Sequence, residues 1–128
     1  MDVWTALEWV GRVGFTAFFI MSGVNHLLNT KAIAGYAGSK GLPAPVAATI
    51  VSGLMLLGGG ILILVRWHAT AGAAALVVFL VASALTIHNY WTLTDPMMKA
   101  GDRAQFWKNV TLAAAAVLYV VAHHRGAL

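Results

Sequence analysis

Four stretches of the chain contain no Asp, Glu, Lys or Arg: Val13–Thr30, Gly41–Val65, Trp67–Thr94 and Val110–His124. Between them the charges fall in short clusters. A helical span needs about 20 mainly apolar residues to cross roughly 30 Å of hydrocarbon. The pattern therefore predicts four spans, at about residues 9–28, 46–65, 69–90 and 106–121. A fifth would leave almost no chain for connections.

The connections are unequal. Asn29 to Pro43 reads as a loop with three glycines, closed by Lys40-Gly41-Leu42-Pro43-Ala44-Pro45. Pro43 and Pro45 fit a loop end and the first turn of the next helix, where a missing N–H costs nothing. Arg66-Trp67-His68 is so short that spans two and three must be antiparallel neighbours. Trp91 to Trp107 is the most polar segment, with a turn at Asp95-Pro96 and a surface pair expected between Asp102 and Arg103. Small residues at Gly11 and Gly14, Ser52 and Gly53, Gly58 to Gly60 and Ala71 to Ala75 suit close helix packing. Asn25-His26 and His88-Asn89, each before a longer loop, make only a faint internal repeat.

In such a bundle the ends of spans one and three and the starts of spans two and four share one membrane side. That side receives Asn25, His26, Lys40, His88, Asn89, Lys108 and Asn109, and is the place to expect a site. Arg12, Phe15, Phe19, Ser22 and His26 recur at spacings of three and four, so they share a helix face. Lys108, Thr111, Ala115 and Tyr119 form a comparable stripe in span four. Lys31, Lys40, Lys99, Arg103 and Lys108 outnumber Arg12, Arg66 and Arg125, which predicts a cytoplasmic loop-rich side.

Composition narrows the class. The 128 residues are 60% hydrophobic and 9% charged, with mean hydropathy +0.80. Soluble domains carry about 25% charged residues. Disorder needs the opposite composition and is excluded. The net charge is +4, but the cations are scattered and form no basic stripe, so nucleic acid is not an expected partner. Asp2 and Glu8 precede Arg12, and the apolar stretch that follows is long, so the first segment is expected to be a retained span and not a cleaved leader. Cysteine is absent, which removes disulfides, zinc–thiolate and iron–sulfur ligation and dithiol chemistry from this chain.

Several segments together resemble a known family. They are Arg12-Val13-Gly14, Ser22-Gly23 with His26, Tyr36 with Lys40-Gly41-Leu42-Pro43-Ala44-Pro45, Leu57-Gly58-Gly59-Gly60, His88, and Gln105-Phe106-Trp107-Lys108-Asn109. In this order they resemble the DoxX family over nearly the whole chain. The resemblance implies one small multi-pass domain over residues 1–128 in a prokaryotic cytoplasmic membrane. Family members are associated with sulfur and thiol redox, including a thiosulfate:quinone oxidoreductase subunit, and with complexes that handle oxidative stress.

The fold expected is an all-α integral membrane protein with four transmembrane helices in an antiparallel bundle. Its candidate pocket joins His26, His88, Lys40 and Lys108 with Asn25 and Asn109. His26 and His88 serve either as proton-transfer groups or as interface histidines bonded to loop carbonyls. Lys40, Lys108, Asn25 and Asn109 serve either as an anion or quinone site or as solvated and snorkelling groups. Glu8 and Arg12, at i and i+4, are expected to form an ion pair that eases insertion, and Pro43 and Pro45 to be structural. No metal site is read: two histidines alone are too little for haem, and His123 and His124 would bind metal only opportunistically. Quinone is the candidate ligand.

The leading function is a membrane subunit of a quinone-linked oxidoreductase in sulfur, thiosulfate or oxidative-stress metabolism. Its partners would be the lipid bilayer and other subunits or further copies of this chain. The alternative is a non-catalytic scaffold or assembly subunit of a larger complex. A transporter would require an oligomer, since four short helices hardly line a pore alone. Whether the chain is an enzyme by itself is left open at this level.

Overall fold

The computed structural model describes residues 1–128 and is entirely helical. Helix α1 runs Val3–Leu28, α2 Thr30–Ser39, α3 Pro45–Leu64, α4 Ala69–Thr86 and α5 Pro96–His124, with a single 3-10 turn at Tyr90–Thr92. The α3 stretch, the stretch Ala69–Thr92 and the α5 stretch are long and apolar enough to cross a membrane. Helix α1 has the length, but Glu8, Arg12, Asn25 and His26 dilute its apolar content, and it is not among those three. Only 21 of 128 residues are buried, while Met21, Leu118 and Val78 stand 71%, 69% and 60% exposed. An outer surface this apolar is what lipid would cover.

Three connections differ from expectation. The first loop is mostly helix α2. Its Ala34 and Ala37 are buried, and packing on α3 and α1 outweighs the three glycines that suggested a loop. Helix α4 stops at Thr86, so His88 and Asn89 lie beyond its last helical turn, still within the apolar stretch Ala69–Thr92. Helix α5 begins ten residues before the expected start, because Asp95 caps it. The Asp95 carboxylate accepts from the Met97 and Met98 N–H groups at 3.0 and 2.9 Å, with Pro96 in the first turn. Asp2 caps α1 likewise, accepting from Thr5 N–H at 2.8 Å, and this bond holds its carboxyl below the usual range.

Helices α1, α3, α4 and α5 follow one another around the bundle, with α2 lying against α3 and α1. Glycine sets the closest approaches. A Cβ added at Gly59 would lie 2.8 Å from the Gly72 carbonyl oxygen, and one at Gly23 2.5 Å from the Leu57 nitrogen. Backbone contact at these points is open only to glycine, and it draws α3 onto α4 and onto α1. The α3–α4 turn reverses within four residues because Arg66 and His68 both adopt left-handed backbone conformations, with φ of 61° and 48°. The core contains Phe19, Leu56, Ile63, Leu76, Leu80 and Ala116. On α5 the buried residues are Asn109, Ala113 and Ala116, a face rotated away from the expected Lys108–Thr111–Ala115 stripe. Alanine is small enough to let α4 approach there.

Candidate functional site

Helices α1 and α5 make no close backbone approach. Side chains bridge them instead: Arg12 donates to Tyr119 at one end, and the Lys108 ammonium lies 5.5 Å from the Phe18 ring centre towards the other. In the loop-bearing half the helices enclose a cavity of about 460 Å³, a size typical of small-molecule sites. Phe18, Leu56, Phe79 and Ile87 give it a largely apolar wall, and Ile33 and Tyr36 of α2 reach it from above.

Of the six site residues expected from the sequence all but two reach this wall, where Ser22, Thr49, Ser52, Ser83 and Thr86 add further hydroxyl groups. His26, His88, Lys108 and Asn109 all line the cavity. His26 donates from Nδ1 to the Ser22 carbonyl at 2.8 Å, and its ring meets Phe79 edge to face. That bond places the proton of the neutral imidazole on Nδ1 and leaves Nε2 as an acceptor. Asn109 is 3% exposed, yet its amide makes no hydrogen bond to the chain. Its amide atoms keep some accessible surface, and Asn109 lines the cavity, where a ligand can pair with them. Lys108 is more exposed, at the cavity edge, and no carboxylate pairs with it.

The exceptions are Lys40 and Asn25. Lys40 closes α2 and points to α5, where its Nζ meets the Asp102 carboxylate at 2.9 Å. It is thereby neutralised and does not line the cavity. Asn25 is exposed and accepts from the Asn29 amide at 2.6 Å, so it stands apart from the site. Its face of α1 turns outward, one position before His26.

Asp102 is the residue that sequence reasoning missed. It was expected to pair with Arg103, but its second oxygen lies 3.5 Å from His88 Nδ1 while the first holds Lys40. The signal was available in the spacing: Asp102 and Asn109 are seven residues apart and so share a helix face. Recognising it required starting α5 at Pro96.

At the other end of the bundle Arg12 is 5% exposed. It pairs with Glu8 as expected, and Glu8 also lies 3.6 Å from Arg66. Arg12 further donates to the Ile63 carbonyl at 3.1 Å and the Tyr119 hydroxyl at 3.3 Å. It thus links α1, α3 and α5, more than the insertion aid expected of it. Pro45 opens α3, with Ala44 before it in a left-handed conformation between the two prolines, as suits their structural reading.

Comparison with known proteins places this geometry in context. The family model DoxX matches residues 8–89, which take in most of α1, all of α2 to α4 and His88. The inner membrane protein YphA of Escherichia coli (strain K12) is 26% identical over 112 residues, covering 88% of this chain and 79% of its own. No solved structure matches the chain.

Proposed function

The chain belongs to the DoxX family and is a multi-pass protein of the cytoplasmic membrane, and from that premise we propose that it binds the headgroup of a quinone as the membrane subunit of a quinone-linked oxidoreductase. In this reading α1 crosses the bilayer beside the three more apolar helices, giving four spans. Arg12 and Glu8 neutralise each other inside it, which lowers the cost of their position.

One observation carries the reading. Asn109, Lys108 and His26 each present an unengaged polar group to one cavity with apolar walls. A flat apolar ring edged by carbonyl oxygens matches that lining. Lys108 and the Asn109 amide donate to a carbonyl oxygen and polarise it. Oxidation of the reduced ring releases two protons and two electrons. His26 Nε2 accepts the proton of one hydroxyl, solvent at the exposed Lys108 edge takes that of the other, and both return on the reverse reaction. Electrons pass to and from a partner subunit, because this chain has no cysteine of its own to carry them. Sulfur, thiosulfate or oxidative-stress metabolism would supply the partner's substrate.

The small-residue faces weigh against a pure scaffold. Gly23, Gly53, Gly59, Gly60 and Gly72 are consumed in contacts within the chain, leaving Gly11, Gly14, Gly35, Gly58 and Gly101 as the open helical glycines.

The test is purification in mild detergent followed by quinone extraction and titration. Wild type should retain quinone, and Lys108→Ala or Asn109→Leu should weaken binding about tenfold, the worth of one hydrogen bond of roughly 1.4 kcal/mol. A wild-type protein that binds no quinone, or variants that keep both quinone and the activity of a co-purified complex, would overturn the reading in favour of the scaffold.

A further inference from the structure

We propose that the wall between α3 and α4 is a lateral portal through which the hydrocarbon tail of a membrane-dissolved quinone runs from the cavity into the bilayer. The proposal rests on the quinone reading above and adds the route of entry and the class of quinone.

Val51 on α3 and Val78 on α4 both line the cavity, yet they are 55% and 60% exposed. Both sit on helices apolar enough to cross a membrane. A cavity-lining residue more than half exposed on such a helix stands at a mouth, and this mouth faces lipid. The helix packing explains the gap. Helices α3 and α4 touch backbone to backbone near their connecting turn, where Gly59 meets Gly72. Towards the loop-bearing end α3 leans on α1 through Gly53, against His26 and Leu27, while α4 runs along α5. Val51 and Val78 lie on that side of the contact, where each helix has a different partner.

The aqueous end offers less. Helix α2 covers it with Ile33 and Tyr36, and Lys40 is strapped to Asp102 across the bundle. A hydrocarbon tail gains nothing by leaving lipid for an apolar protein wall. A site that leaves the tail in lipid and draws in only the ring therefore suits a long-tailed quinone.

The experiment reconstitutes the full chain in lipid nanodiscs and titrates two benzoquinones with the same ring, one with a single isoprene unit and one with a long polyisoprenoid tail. Val51→Trp and Val78→Trp place a bulky ring at the mouth. Each should weaken the long-tailed probe about tenfold and leave the short-tailed probe within about twofold. Leu54→Trp is the control: Leu54 is 57% exposed on α3 but does not line the cavity, and the change should affect neither probe. Intact short-tail binding with no change in long-tail binding overturns the portal alone. Equal loss of both probes also overturns it, since the tail would then not be what the mouth admits. A wild-type protein that binds neither probe overturns the quinone reading and the portal together.

Discussion

Lys40 and Asp102 stand 62 positions apart in the chain and 2.9 Å apart in space. Their side chains are each 14% exposed. This pair ties the end of α2 to the second turn of α5, and His88 shares the carboxylate. It is the one ion pair that crosses the roof of the cavity.

Breaking the tie should loosen α2. Exposed ion pairs are worth about 0–1 kcal/mol and fully buried ones several, so a coupling of about 1 kcal/mol is expected here. A thermal-unfolding cycle of Lys40→Ala, Asp102→Ala and the double variant measures it. Asp102→Ala should cost more than Lys40→Ala, because it strands both Lys40 and His88. Additive losses would show that the contact contributes nothing.

The glycine contacts give a sharper contrast between neighbours. Gly59→Ala would drive a methyl group into the Gly72 carbonyl and should destabilise the protein by about 1–3 kcal/mol. Gly58→Ala meets nothing within 4 Å and should be neutral or slightly stabilising. Melting temperatures of the two variants, side by side in one detergent, decide the point.

At the opposite end Glu8 is the counter-charge of an almost fully buried guanidinium. Glu8→Ala leaves Arg12 charged and unpaired, a change that costs about 3–5 kcal/mol when a buried pair is broken. Replacing both partners, Glu8→Leu with Arg12→Met, should recover much of that loss. Arg66→Ala, on the exposed third member, should change little. Denaturation of the four proteins checks the order.

Topology can be read chemically, because the chain has no cysteine. Single cysteines at Ser39, Trp67 and Leu128 would each be the sole thiol present. Four spans require Trp67→Cys and Leu128→Cys to react with an impermeant thiol reagent from one side and Ser39→Cys from the other. If α1 does not cross, the three remaining spans still place Trp67 and Leu128 together, so a fourth variant, Trp4→Cys, is needed. It should label with Trp67→Cys in a four-span protein and with Ser39→Cys otherwise.

Much of this architecture is legible in the residues alone. The absence of charge over Gly41–Val65 places both ends of α3 within four residues, because in hydrocarbon the backbone must bond to itself and charge is excluded. That over Trp67–Thr94 places the start of α4 within two residues but overruns its end by eight. The same periodicity put Arg12, Phe19 and His26 on one face, and Arg12 and Phe19 are indeed buried. His26, His88, Lys108 and Asn109, which the sequence assigns to one membrane side, meet around one cavity.

The remainder depends on contacts between distant parts of the chain. Helix α2 contains two glycines, Gly35 and Gly38, and holds its shape through the surface of α3, so no local signal announces it. The rotation of α5 follows from which alanines let α4 approach, and it buries Asn109 while leaving Lys108 at the edge. Asp102 could not be assigned to Lys40 from spacing, since an ion pair across 62 positions exists only after α2 and α5 are docked. Solvent and backbone bonding impose the spans locally, residue by residue. Which polar groups are matched and which stay free is set by packing, and that difference separates Lys40, neutralised by Asp102, from Lys108, left without a carboxylate.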